Sequence, residues 1–283
     1  MTKFQKAVRA KAYIKLGITG TSGAGKTYSS LLLARGLVGR EGRIAVIDTE
    51  NNSSTLYDNL TDFDQCEVVP RSSGSFHYQD FIDSVSEAER AGYDCVIIDS
   101  ASHLWQAILD AKQELDKKPG GNSFTNWASA GKDFNAAVQT ILQCRMHVIA
   151  CMRSKTEFVL NESRKVEKKG LAPVMRDGIE YEFTTVFDID HTHKATATKD
   201  RTGLFVRDGA FLIDQSTGEK IARWIDGGMT VSDKKNIAKL IRKQVVGNGE
   251  MTATVKSLCN GQKLEELPES TLATIAQTVG LSV

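Results

Sequence analysis

The sequence predicts an α/β fold: a mainly parallel sheet with an antiparallel edge, followed by a small helical C-terminal module. Three observations carry this. Short β-rich runs alternate with longer helical patterns, the signature of βαβ units. A glycine-rich loop joins the first such run to the first helix, and after about residue 228 the composition turns helical throughout.

The elements follow in order. "AYIKLGITG" is the first strand, a helix spans Lys26 to about Val38, and "RIAVIDTE" is the second strand. A helix from near Tyr78 to Ala91 then leads into "YDCVIIDS". A further helix, "AGKDFNAAVQTILQC", precedes "MHVIACMR". The runs "YEFTTVFDID", "HKATATKDR" and "FLIDQ" come too close together for crossover helices, which predicts the antiparallel edge. Residues 116–126 ("DKKPGGNSFTN") and 160–172 ("LNESRKVEKKGLA") are polar, turn-rich or charged and predict mobile loops. The domain boundary is placed at 228, giving a core of 1–228 and a helical module of 229–283.

Bulk properties narrow the classes. With 36 basic against 35 acidic side chains, any affinity for nucleic acid has to be local. No apolar stretch approaches the roughly 20 residues that span a bilayer, and "MTKFQKAVRAKAY" lacks the apolar middle of a secretory signal, so a cytoplasmic location is expected. The five cysteines, Cys66, Cys95, Cys144, Cys151 and Cys259, form no C-x-x-C pair and are expected to be reduced core residues.

Gly20-Thr21-Ser22-Gly23-Ala24-Gly25-Lys26-Thr27 fits G-x-x-x-x-G-K-[ST] between a strand and a helix, where that motif has to sit to bind phosphate. Small residues let successive backbone N–H groups converge on phosphate oxygens, and the helix N-terminus adds partial positive charge. In this arrangement Lys26 reaches the β- and γ-phosphates of ATP, and the Thr27 hydroxyl ligates Mg²⁺. In "CVIIDSASHLW", Asp99 ends an apolar strand, as expected of a carboxylate that holds Mg²⁺ through water. The residue after it is Ser100, not Glu, so the carboxylate that activates water has to come from elsewhere.

The next strand after the phosphate-loop helix ends in Asp48-Thr49-Glu50, and this strand end resembles the RecA-like recombinase fold. The resemblance continues in order through most of residues 10–215 and implies a RecA-like P-loop NTPase core. By resemblance, Glu50 activates the attacking water. "HVIACMRSKTEF" is similar to the strand that ends in the family's nucleotide sensor and opens its second DNA-binding loop, except that the family's Asn-Gln pair is replaced by Ala150 and Cys151; Arg153 or Ser154 is left to substitute. "ATATKDRTGLF" is similar to the strand whose basic residues reach a neighbouring subunit's ATP, a role that falls to Lys199 and Arg201. The shortness of the chain and the wording of "MRDGIEYEFTTVFDID" resemble the phage-encoded RecA-like ATPases associated with single-strand annealing and recombination, which would act inside a bacterial host.

What the resemblance implies about partners is single-stranded DNA, a homo-oligomeric filament or ring with ATP at subunit interfaces, and a single-strand-binding or replication protein. Arg153, Lys155, Arg164, Lys165, Lys168 and Lys169 fall where the family places its second DNA loop. Lys117 and Lys118 with Phe124 form a basic and aromatic mixture suited to tracking a single strand. A second reading stays open, in which a P-loop ATPase of the same fold acts on a protein partner as loader, remodeller or switch. "DIDHTH" reads as a solvated strand end, and His103 as helix-start packing.

Overall fold

The computed structural model describes residues 12–119, 122–160, 166–226, 231–267 and 269–281. The chain divides into two compact units, with the division between Trp224 and Ile225.

The first unit is built on one sheet in the order β3-β2-β4-β5-β1-β7-β8-β9. Its parallel strands are β1 (Lys15–Gly20), β2 (Ile44–Asp48), β3 (Asp64–Glu67), β4 (Cys95–Asp99), the first half of β5 (His147–Leu160) and β7 (Thr185–Ile189). β8 (Lys194–Asp200) and β9 (Phe211–Leu212) run antiparallel at one edge, as expected. β5 continues beyond the sheet and pairs with antiparallel β6 (Val166–Pro173). The mobile loop expected over 160–172 is therefore largely a hairpin strand. Its charged composition hid an extended run whose backbone bonds are made with β5.

The central strands β2 and β4 and the start of β5 read as near-continuous apolar runs because helices cover both faces. Ala45, Ile47, Val96, Ile98, Val148 and Ala150 face one core, shared with α2 (Tyr78–Arg90), α3 (Ala101–Lys117) and α4 (Ser123–Gln143). The opposite face receives α1 (Lys26–Val38), and α5 (Gln215–Ile225) lies against α1. That contact is so close that a Cβ built on Gly36 would stand 1.9 Å from the Gln215 carbonyl oxygen, and one on Gly218 2.2 Å from that of Leu33. Only glycine on both helices permits it.

The turn-rich segment expected over 116–126 shrinks to a few residues, because α3 runs to Lys117 and α4 starts at Ser123. Asn122 caps α4 by accepting the Phe124 N–H at 2.9 Å, so the polar residues taken for a loop are cap residues. Burial on this helix pair ends at Ile108 and resumes at Ala130, which leaves the turn between them clear of the core. Lys15 is buried at the start of β1, where its ammonium donates to the carbonyls of Cys144 (2.9 Å) and Met146 (2.6 Å) at the end of α4. Burial pushes its pKa down. Four of the cysteines are buried as expected; Cys66 is exposed, on short edge strand β3.

The second unit contains α6 (Val231–Val245), α7 (Gly249–Cys259) and α8 (Glu269–Thr278) around a core that includes Ile237, Ile241, Val255, Leu272 and Ile275. Its helical character matches the sequence expectation. Among the described residues no helix is long and apolar enough to cross a membrane.

Candidate active site

Three parallel strands deliver their carboxyl ends to one place. β5 lies between β1 and β4, with Gly20 in register with Arg153 and Asp99 with Cys151. β2 flanks β4 on the other side, with Asp48 in register with Asp99. The phosphate loop, the Asp99 carboxylate and the Asp48–Glu50 turn therefore stand side by side, although 72 residues separate Thr27 from Asp99.

The loop has the backbone that its glycines foretell. Gly23 and Gly25 take φ of +77° and +93°, left-handed values that L side chains rarely adopt, and these turn the chain into the N-terminus of α1. Lys26 Nζ donates to the carbonyls of Gly20 (3.2 Å) and Thr21 (3.0 Å). The Thr27 hydroxyl donates to Asp99 Oδ2 at 2.5 Å. Asp99 is nearly fully buried, and its carboxyl is pushed up to about 6, chiefly by desolvation, with the Thr27 bond pulling the other way and the Glu50 charge adding to the rise. A divalent cation between this hydroxyl and this carboxylate would supply the missing counter-charge, so the donor set fits Mg²⁺.

Asp48 builds the turn that presents Glu50. Its Oδ1 accepts the Glu50 N–H at 2.6 Å and its Oδ2 the Ser54 N–H at 2.9 Å, which accounts for an almost fully buried carboxylate. Thr49 Oγ1 accepts the Ser100 N–H at 2.8 Å and lies 2.7 Å from His103 Nδ1. The His103 ring is stacked on Phe76, with centroids 4.9 Å apart. Burial and the Arg153 charge lower the His103 pKa, favouring the neutral imidazole. The peptide between Asp99 and Ser100 is cis, and the Ser100 hydroxyl caps α3. His103 thus braces the Glu50 turn, beyond the packing role read from the sequence.

Glu50, Lys26, Thr27 and Asp99 share a cleft of about 620 Å³. Tyr28, Leu32, Tyr57, Leu212 and Ile213 also line it and supply apolar surface of the kind that accepts a planar base. The Tyr28 and Tyr57 rings meet edge to face at 6.1 Å. The sequence reading missed these residues, and the only signal near them is the tyrosine directly after Thr27. It also missed His193, at φ +65° in the turn between β7 and β8, whose Nδ1 lies 3.0 Å from the Ala24 carbonyl oxygen. Asp190 shapes that turn by accepting from the Thr192 and Lys194 N–H groups, so "DIDHTH" is a built corner against the phosphate loop. No metal-binding cluster of three His, Cys, Asp or Glu occurs among the described residues.

Other candidates lie elsewhere. Lys199 Nζ donates to the carbonyls of Glu180 and Tyr181, and Arg201 Nη2 donates to that of Tyr181 at 2.8 Å, so both side chains converge on one carbonyl. They lie at the opposite end of the sheet from the phosphate loop: β8 meets the carboxyl end of β7 at Ala195 and its start at Asp200. Arg153, grouped by sequence with DNA contacts, instead donates from Nε (3.1 Å) and Nη2 (2.8 Å) to Glu50 Oε1. Lys155 is exposed on β5, Lys117 pairs with Glu114 at 2.7 Å, Lys118 follows α3, and Phe124 is 84% exposed. Lys168 and Lys169 belong to β6, while Arg164 and Lys165 lie outside the described residues.

A family model described as an AAA domain matches residues 12–211. The chain belongs to this family of P-loop ATPases. No curated protein matches the chain.

Proposed function

We propose that the protein binds Mg²⁺-ATP in the cleft above the carboxyl ends of β1, β2 and β4, and hydrolyses it with Glu50 as the residue that orients and deprotonates water. One observation carries this reading: the Thr27 hydroxyl lies 2.5 Å from the Asp99 carboxylate, in the cleft that Glu50 also lines. The backbone N–H groups of residues 20–27 cradle the phosphates, Lys26 neutralises the β- and γ-phosphates, and Thr27 and Asp99 hold the metal. Mg²⁺ supplies charge neutralisation across the phosphates. The apolar surface at Tyr28 and Tyr57 takes the base.

The same reading makes the protein a RecA-like ATPase, related to phage annealing and recombination proteins, in which hydrolysis is coupled to single-stranded DNA. The support is positional. The β5–β6 hairpin grows directly from the strand that passes the cleft and carries exposed Lys155, and Phe124 is exposed in the first turn of α4. Lys199 and Arg201, far from their own phosphate loop, act on the ATP of a neighbouring copy in a ring or filament. ATP turnover measured with and without single-stranded DNA at two salt concentrations tests this. The expected result is stimulation that weakens as salt rises and is lost in Lys199→Ala/Arg201→Ala. A rate indifferent to DNA would move the coupling to a protein partner.

A further inference from the structure

We propose that His193 is a positioning residue for the phosphate loop: its ring holds the Ala24–Gly25 peptide in the orientation that turns the Gly25 N–H toward a bound phosphate. The inference rests on the nucleotide-binding reading of the cleft and deepens it.

Placement is the first argument. The chain from β7 into the β7–β8 turn is fastened to the loop at successive points. Thr19 Oγ1 donates to Asp188 Oδ1 at 2.6 Å, and a Cβ built on Gly20 would stand 2.9 Å from the Ile189 carbonyl oxygen. Asp190 closes the turn, and His193 then reaches back to the loop, its Nδ1 3.0 Å from the Ala24 carbonyl oxygen. A Cβ built on Gly25 would lie 3.3 Å from the same nitrogen, so the ring stands against both residues of one peptide. A carbonyl oxygen only accepts, so Nδ1 carries the hydrogen and donates.

The second argument is mechanical. A peptide plane turns through the ψ of the residue before it and the φ of the residue after it. The residue after is Gly25, at φ +93°, and glycine moves between positive and negative φ at little cost. In a trans peptide the C=O and N–H point in opposite directions. A flipped plane would aim the Ala24 oxygen, in place of the Gly25 N–H, at the phosphate. The bond from His193 keeps that oxygen on the outer side of the loop.

The residue type at 193 agrees with this role. His193 holds φ +65°, a strained value for a side chain. Among the described residues the other non-glycine positions of this kind, Asn51, Asn52 and Asn260, are all asparagine. His193 is exposed, and the turn's own bond runs from its backbone N–H to the Asp190 carbonyl at 3.1 Å, so neither core nor turn calls for an imidazole. A strained backbone kept for an exposed ring points to the contact which that ring makes.

The test separates the ring from the backbone. Affinities for ADP and for a non-hydrolysable ATP analogue, each with Mg²⁺, are measured on the full chain, with ATP turnover and the thermal midpoint on the same samples. His193→Gly keeps the left-handed turn without strain and removes the donor. It is expected to shift the midpoint by less than about 5 °C. Both nucleotides should bind about 3- to 10-fold more weakly, the loss of one neutral hydrogen bond. KM should rise by the same factor while turnover at saturating ATP changes less than about twofold, because a filled loop no longer needs holding. His193→Asn places an amide nitrogen the same number of bonds from Cα as Nδ1 and tolerates the left-handed backbone, so it should restore most of the affinity. Wild-type affinity in His193→Gly, or a loss that His193→Asn fails to restore, would overturn the proposal while normal ATP turnover leaves the ATPase reading standing. A wild-type chain that binds neither nucleotide would overturn both.

Discussion

The phosphate loop and the point where β5 leaves the parallel sheet meet at register partners Gly20 and Arg153, yet they were unequally legible. The loop's function is written in consecutive residues: glycines at Gly23 and Gly25 take the left-handed backbone, the helix starts at Lys26, and a lysine and a threonine follow. Local chemistry decides everything there. Arg153 has the same charge as Lys155 two residues on, and nothing nearby in sequence separates the two. What separates them is Glu50, 103 residues away in sequence. A residue whose role depends on a long-range partner looks generic until the sheet order is known.

Breaking the local side should have the largest effect. Lys26→Ala removes the side-chain cation from the phosphates and is expected to lower ATP turnover by at least about 10²-fold, measured by steady-state phosphate release. Folding should be intact by circular dichroism, since the Lys26 ammonium bonds only to loop carbonyls.

The long-range side can be sharpened at Gly36. In sequence it is one glycine inside a helical pattern, at a cost that looks gratuitous. In the structure it faces the Gln215 carbonyl across the α1–α5 contact. Gly36→Ala should gain helix propensity and still lose stability, by about 1–3 kcal/mol from overpacking, read as a lower midpoint in thermal or denaturant unfolding. A variant as stable as the parent would mean that α5 is not held this closely against α1.

The same division explains the rest of the comparison. The α1 bounds and the β4 strand were readable because a cap or an apolar run marks them in place. The β6 strand was not, since its charged residues carry no periodic signal and its backbone is satisfied only by β5. His193 looked like solvated strand end because its partner, the Ala24 carbonyl, is 169 residues earlier. Asp48 and His103, which set the Glu50 turn, were invisible as a pair for the same reason. Glu50 itself was legible only by resemblance.

The most direct test of the account is therefore at Glu50, by measuring Mg²⁺-dependent ATP turnover and nucleotide binding on the same samples of wild type and Glu50→Gln. The account predicts turnover reduced by about 10²–10⁴-fold with ATP still bound. Turnover equal to wild type would contradict it and place the water-activating group elsewhere in the cleft.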